Sequence, residues 1–593
     1  MKARRISFFV AMFLLAFMVA PNAGHSEASE PIIDISVTPQ LLSDADIALY
    51  QQIFAAQEPG NWKEADRLIA QLSDRTLMGH VLYQRYMHPT KYRSKFTELR
   101  DWMELYADHP KADKIYRLAM RRKPAKARAP VPPVPSRYKA PEVENVAPPR
   151  LSSAERTRKS KEYQARSGIT RNVRKRNPDE AEKHLWAAEK SGLFTDAEFD
   201  SQMSRVAKAH YFKGNIDKAL ALGAKAEARS GPEVPEASWF AGLAAWRMGR
   251  YEDAARHFSK VPESYDAGDW LSAAGAYWAA RSYIRARKPD EVVPMLEVAA
   301  TYPMTFYGVL AARHLDDPHT YDWAPPSLSP NEFTEAMALG EMKRAIALAE
   351  VGRTGQADEE VHLLMRRLPP GAAFEHLLKV AAHIDLPSSQ ITMARKARRG
   401  TGTFYQSALY PVPDWAPEDG FNLDRALLFA FMRQESNFTS WATSHAGARG
   451  LMQLMPATAS YIHRDRSLRG SGKTRLYNPE FNIMLGQKYI NYLMKKHTMR
   501  GNLLLVISAY NAGPGNVAKW LNQTNHGDDW LLYMESIPVR ETRNYVERVM
   551  ANLWIYRARL GQPAPTLDQI AAGMWPRYDP IDNRTASAGD SSQ

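Results

Sequence analysis

One carboxylate stands apart in this sequence of 593 residues. Glu435 closes an apolar run in which Leu427, Leu428, Phe431 and Met432 recur at helical spacing, and no Asp or Glu follows it until Asp465. The spacing predicts a helix with Glu435 at its carboxyl-terminal end and Ser436, Asn437 and Phe438 in the turn beyond. There the negative end of the helix dipole and the apolar neighbours both disfavour the ionised carboxylate, so its pKa should rise. An acid still protonated near neutral pH can donate to the oxygen of a departing group, which is general-acid chemistry. Taken alone, a Glu at a helix end is more often a solvated surface residue.

The elements around it are well marked. Asn478-Pro479-Glu480 reads as an N-cap, a Pro at the first helical position and an acid in the first turn, opening a helix to about residue 496. Asn502 opens the next helix, which stops at Asn511-Ala512-Gly513-Pro514-Gly515 and leaves Tyr510 as its last helical residue. Pro538 opens a further helix to about residue 560. Between Glu435 and these helices, alternation in a short strand would put Leu451, Gln453 and Met455 on one face and Met452 and Leu454 on the other. Gln453 is costly in a core unless hydrogen-bonded. From the residues alone, core and cleft wall are equal readings for Gln453 and Met455. Tyr510 is similarly open, and Glu541 could equally pair with Arg540 or Arg543.

Four motifs then settle the context: Glu435-Ser436; Gly447-Ala448-Arg449-Gly450-Leu451-Met452-Gln453-Leu454-Met455-Pro456; Ala509-Tyr510-Asn511-Ala512-Gly513; and Ile537-Pro538-Val539-Arg540-Glu541-Thr542-Arg543-Asn544-Tyr545. In this order the chain resembles the soluble lytic transglycosylases that cleave peptidoglycan. The resemblance implies an all-α protein: a tetratricopeptide-like helical superhelix, then a lysozyme-like, mostly helical transglycosylase domain with a small β-structure. It implies that Glu435 is the single catalytic acid/base. Ser444, Gln453, Met455 and Tyr510 match residues lining the sugar cleft, and Glu541 matches a second cleft carboxylate that binds rather than reacts. Gln453 and Met455 are thereby favoured as cleft residues.

Domain organisation follows from composition. Residues 1–28 read as a signal peptide, with Lys2, Arg4 and Arg5 before an apolar run and cleavage after position 23 or 28. Residues 29–122 are a first helical region. Residues 123–178 form a Pro-rich and basic insert, whose proline density through position 150 excludes helix and favours extended, poorly ordered chain. Residues 179–400 are the helical superhelical domain. In it Tyr211, Gly214 and Ala219 are echoed by Trp246, Gly249 and Ala254, 35 positions on, as in stacked helix pairs. Thr305-Phe306-Tyr307-Gly308 looks like a segment of the same transglycosylase family. Residues 401–420 are a linker, 421–565 the catalytic domain, and 566–593 a largely disordered tail.

Bulk properties set limits. Cysteine is absent, so the chain has no disulfide, no thiol nucleophile and no site for lipidation after the signal. The expected location is the periplasm, as an exported protein that is not a lipoprotein. The net charge of +13 invites a polyanion reading, but no nucleic-acid-binding motif accompanies it. A solvated basic face comes first, weak attraction to anionic wall polymer second and nucleic acid last, with membrane contact peripheral at most. The expected partners are peptidoglycan strands and, as a lesser option, cell-wall machinery docking on the superhelix. Gly470-Ser471-Gly472-Lys473-Thr474 lacks the first Gly and the strand of a phosphate loop. His445 and His463 have no ligand-like spacing, so no metal or organic cofactor is expected.

Glycoside hydrolysis generally uses two carboxylates. With one, an intramolecular reaction is easier: Glu435 protonates the bond between N-acetylmuramic acid and N-acetylglucosamine, then takes the proton of the sugar's own C6 hydroxyl as that oxygen closes on C1. This is the 1,6-anhydro outcome that the resemblance implies. The competing readings are a water-using muramidase with Asp465, Glu480 or Glu541 as base, and a silent wall-binding scaffold.

Overall fold

The computed structural model describes residues 40–138, 151–369, 374–400 and 402–582. The signal-like segment 1–28, part of the Pro-rich insert and the chain beyond 582 lie outside the described residues. Helices dominate. Among the described residues, β-structure is confined to isolated antiparallel bridges, Thr443 with Arg449, Arg449 with Leu454 and Asn502 with Arg577. No described helix is long and apolar enough to cross a membrane.

Local chemistry fixes the helix ends. Thr195 and Glu198 form a capping box at the start of Asp196–Lys213, and Asn478 accepts from the Phe481 N–H at the start of Pro479–Met494. The two echoed segments form helix pairs, Asp196–Lys213 with Ile216–Ser230 and Pro235–Arg247 with Tyr251–Ser259. Each pair turns at a left-handed glycine, Gly214 (φ 94°) and Gly249 (φ 71°), where a side chain would be strained. Ala219 and Ala254 are fully buried, as close helix crossings require.

The stack reaches the carboxyl-terminal helices through aromatic rings and buried polar groups. Trp278 lies against Trp239, Trp246 and Phe258, and its Nε1–H donates to the Tyr307 hydroxyl at 2.9 Å. Tyr307 in turn donates to Glu535 at 2.6 Å, and Phe306 stacks on Trp554 at 4.9 Å. Both partners flank or belong to the long helix Arg540–Arg559, so the superhelix buttresses the element that carries Glu541 and Tyr545.

Within the span read as a Pro-rich and basic insert, Ser153–Arg174 is a helix started by a Ser152–Glu155 capping box, beyond the proline-dense stretch for which helix was excluded. Two expectations change. Residues 123–138 lack α-helix beyond residue 122 but are anchored rather than loose: the Val134 N–H donates to Ala107 O at 2.9 Å and the Tyr138 N–H to Arg366 O at 2.8 Å. The tail expected from residue 566 is structured as far as 582. Leu567 and Ile570 bury one face of the helix Pro565–Ala571. Beyond it, the Ile581 and Asp582 N–H groups donate to Asp424 at 2.8 and 3.0 Å. Asp424 is the N-cap of the helix bearing Glu435 and also pairs with buried Arg557 at 2.8 Å, so this polar tail closes the start of the acid's own helix.

Asp424→Ala leaves the Arg557 guanidinium buried without its carboxylate, and should lower the unfolding free energy by about 3–5 kcal/mol. Calorimetry and hydrogen exchange across residues 572–582 check this; a variant as stable as its parent would refute the anchoring role.

Candidate active site

The helix Arg425–Glu435 buries every residue from Ala426 to Met432, so its orientation is fixed by the core on all sides. It stops at Glu435 because Asn437 and Phe438 take left-handed φ values of 48° and 62°, reversing the chain and burying Phe438 against Phe429 and Tyr556. Ser436 secures the turn by donating its hydroxyl to Leu451 O at 2.7 Å.

That bond joins the acid to the loop 442–455. Gly450 N donates to Ala442 O at 3.0 Å, and Arg449 and Leu454 exchange two backbone bonds at 3.0 and 3.1 Å. A Cβ at Gly450 (φ 75°) would meet Leu476 O at 2.1 Å, so this position admits only glycine. Buried Asn482, on Pro479–Met494, fastens the loop from beneath: its Oδ1 accepts from Met452 N at 2.8 Å and its Nδ2 donates to Leu476 O at 2.7 Å and Arg449 O at 3.1 Å. The short strand expected here is not formed. Gln453 adopts φ 46°, which breaks alternation, and Leu451, Met452 and Leu454 are all buried. Tight hydrogen-bonded turns, not a pleat, set which side chains emerge.

Glu435 is partly exposed and its carboxyl is nevertheless desolvated. Its pKa is pushed up to about 8, by burial first and by the charge of Glu541, against the Tyr545 hydroxyl, which donates to Oε1 at 2.6 Å and pulls it down. Glu541 is exposed, in the first turn of Arg540–Arg559 and one turn before Tyr545. The alternative partners considered for it are engaged elsewhere in part: Arg543 donates to Ile537 O at 2.7 Å and approaches Glu535 at 3.7 Å.

The remaining expected cleft residues emerge around the same loop. Ser444 Oγ accepts from the Ala448 N–H at 3.0 Å, holding the 444–448 turn. Gln453 donates its amide to Gly450 O at 2.7 Å and Ala442 O at 3.3 Å. Met455 is 40% exposed. Tyr510 gives its hydroxyl to Met452 O at 2.8 Å and packs its ring on Phe431 and Tyr489. It therefore fixes the loop, with its ring as wall. Of the other acids, Asp465 is tied to Arg475 at 3.2 Å and caps Ser467. Tyr545 and Asn482 were not singled out from sequence; Tyr545 lies 110 positions from Glu435, and only its place one turn after Glu541 hinted at a shared face.

Among the described residues, two triads of potential metal ligands occur elsewhere, but protein cations already hold their carboxylates. Glu360 beside His80 and His109 is paired with Arg344 at 2.9 Å, and Asp179 and Glu182 beside His210 share Lys218 at 2.8 and 3.0 Å.

An acid at a helix end, a glycine-pinned loop and a tyrosine from a distant helix define a site of the general-acid class on a helical domain. Comparison makes the class specific. Residues 416–533 match the family model for the transglycosylase SLT domain, and residues 536–565 that for the soluble lytic transglycosylase helical domain. A putative soluble lytic murein transglycosylase of Haemophilus influenzae is 29% identical over 275 residues, which cover 44% of each chain. The soluble lytic murein transglycosylase of Escherichia coli K12 is 38% identical over 159 residues, covering 27% of this chain and 24% of that one. The matched stretch thus spans less than half the length of these curated relatives. An inactive mutant of the lytic transglycosylase Slt from Pseudomonas aeruginosa superposes with a TM-score of 0.54 at 21% identity, over 88% of this chain and 82% of that one, which establishes the shared fold. The resemblance to soluble lytic transglycosylases read from the motifs is thereby shown.

Tyr545→Phe removes the one hydrogen bond that favours ionised Glu435. The alkaline limb of the pH–rate profile should move to higher pH while kcat falls about tenfold from lost orientation of the acid. An unmoved limb would sink this assignment. Because the folded-state pKa lies above the ordinary 4.5, the folded protein keeps a proton the unfolded chain has lost; stability from this group falls as pH rises from about 4.5 to about 8. Glu435→Gln should erase that slope in thermal denaturation measured across this range.

Proposed function

We propose that the chain is a peptidoglycan lytic transglycosylase that cleaves the β-1,4 bond between N-acetylmuramic acid and N-acetylglucosamine without water, leaving 1,6-anhydromuramoyl ends. The observation that carries the reading is the desolvated carboxyl of Glu435 at the end of its helix beside the 442–455 loop, pushed up to about 8 so that it holds its proton at neutral pH. Glu435 gives its proton to the glycosidic oxygen as the C1–O bond breaks. The C6 oxygen of the same sugar bonds to C1, and its proton returns to Glu435, restoring the acid. No outside nucleophile is needed, and tethering removes most of the entropic cost of the second step.

The surroundings support this division of labour. Met455 and the Tyr510 ring offer apolar walls to a sugar, and Gln453 and Ser444 offer polar contacts to its substituents. Glu541 is a binding carboxylate at the rim. The apolar and basic amino terminus supports export to the periplasm, where the wall polymer is met, and the helical stack shapes access to it.

A water-using muramidase is the rival, with Glu541 as base, because Glu541 is the one carboxylate whose field Glu435 feels. Mass spectrometry of a digest of purified peptidoglycan separates them: anhydro ends, 18 mass units lighter than hydrolysed ends, are expected, and reducing ends accumulating from the start would overturn the ring-closing mechanism. Glu435→Gln should lower wall clearance by at least about a thousandfold, since the acid serves both half-steps; retained clearance would refute any role for it.

A further inference from the structure

More than half of the chain's net charge of +13 is gathered in a stretch that the candidate active site does not use. Residues 151–176 hold nine Lys and Arg against two Glu, a net of +7. They form the helix Ser153–Arg174 and the turn beyond it. Neither Glu is free to offset the cations: Glu155 closes the capping box with Ser152, and Glu162 pairs with Arg166 at 2.8 Å. Arg156, Arg158, Lys159, Lys161, Arg171 and Arg174 have no ion pair among the described residues. Helices that merely meet water carry charges of both signs in alternation, and this one does not.

The helix is held to the body along one stripe. Ala165, Ile169 and Val173, each four apart, pack into a small core with Leu185, Phe199 and Met203. Residues 153–161 are exposed without exception. On the side away from the stripe, Arg156, Tyr163, Ser167, Arg171 and Arg174 fall at helical spacing in one line about 27 Å long. From Tyr163 to Lys175 this line borders a groove of about 440 Å³, lined by four cations and the Ser167 and Thr170 hydroxyls and by no carboxylate. Like charges held at that density repel one another, and an anionic partner relieves the repulsion. Tyr163 is 73% exposed among them, and Leu151, just before the helix, 39%.

We propose that the helix Ser153–Arg174 docks the protein on a bilayer rich in anionic phospholipid, lying along the surface without entering its core. A straight line of cations on a rod backed by protein meets a plane over its whole length. Guanidinium forks with hydroxyls beside them match phosphodiester oxygens. Tyr163 separates a lipid surface from a soluble polyanion, because only lipid offers its ring an apolar layer beneath the phosphates while its hydroxyl stays in water. No described helix is long and apolar enough to cross a membrane, so the attachment is electrostatic and reversible, and salt weakens it. The assignment stands apart from the glycan-cleaving reading and adds a surface to what the protein recognises.

The test is co-sedimentation with vesicles of phosphatidylglycerol and phosphatidylcholine in a one-to-two ratio, against vesicles of phosphatidylcholine alone. It uses the chain from residue 29, so that the apolar signal-like run takes no part. The parent should bind the anionic vesicles at least about a hundredfold more tightly than the neutral ones, and release them as salt rises from about 50 to about 500 mM. That salt series decides the matter without any variant. Arg156→Gln/Arg171→Gln/Arg174→Gln should weaken binding about a hundredfold, at about fivefold for each cation, and Arg156→Lys/Arg171→Lys/Arg174→Lys should retain it. Tyr163→Ala should lose about tenfold on anionic vesicles and nothing on polyphosphate or duplex DNA. Binding by the parent to neither vesicle, or to both equally, overturns the proposal, as does undiminished binding by the Gln variant. Tighter binding to polyphosphate or duplex DNA than to vesicles at equal phosphate would overturn the lipid assignment.

Discussion

A carboxyl group withdrawn from water, with one hydrogen bond to hold it, governs the design of this protein. Desolvation raises the pKa of Glu435 and the Tyr545 hydroxyl limits the rise. Each influence alone would spoil the group. Without burial it would be ionised and useless as a donor; without the hydroxyl it would be poorly oriented and slow to release its proton. The balance requires that two helices, separated by 110 positions, be held to hydrogen-bond tolerance. Much of the surrounding structure serves that requirement: the fully buried acid helix, the Asp424 cap fastened by the carboxyl-terminal tail, and the loop pinned by Ser436 and Asn482.

The second of those helices is positioned from the helical stack. The Trp278–Tyr307–Glu535 chain and the Phe306–Trp554 stack bring the superhelix onto Arg540–Arg559. Buried Glu535 approaches Arg543 at 3.7 Å, half-buried Glu547 feels the charges of Arg543 and Arg548, and burial pushes both carboxyls toward the neutral form, Glu547 to about 8. Such a network specifies a docking geometry more than it adds stability. The helical stack is thereby a mechanical part of the site and not merely an access ring.

What was legible in the sequence follows the range of the signals. Helical period and caps are local, so the acid helix, Pro479–Met494, Leu503–Ala512 and the paired helices at Gly214 and Gly249 emerge close to their expected ends. The strand expected at 451–455 failed for a local reason that hydrophobicity cannot report, the left-handed backbone at Gln453. The tail failed for a distant one. Its composition is polar, but two of its backbone N–H groups complete the buried Asp424, a debt incurred 157 positions earlier. Tyr545 and Asn482 share that character: each is an ordinary residue of its own helix, and its importance lies in what the fold brings opposite.

A guanidinium near an acid ordinarily favours its ionised form and would lower the pKa on which general-acid chemistry relies. Arg433 stands two residues before Glu435, yet the only charge that shifts Glu435 is that of Glu541, which acts in the opposite sense. Helical geometry explains the insulation: residues two apart face apart, so Arg433 is directed onto Tyr410 and Asn552 while Glu435 meets Tyr545. One helix end thus presents a neutral acid to one side and a cationic surface to the other.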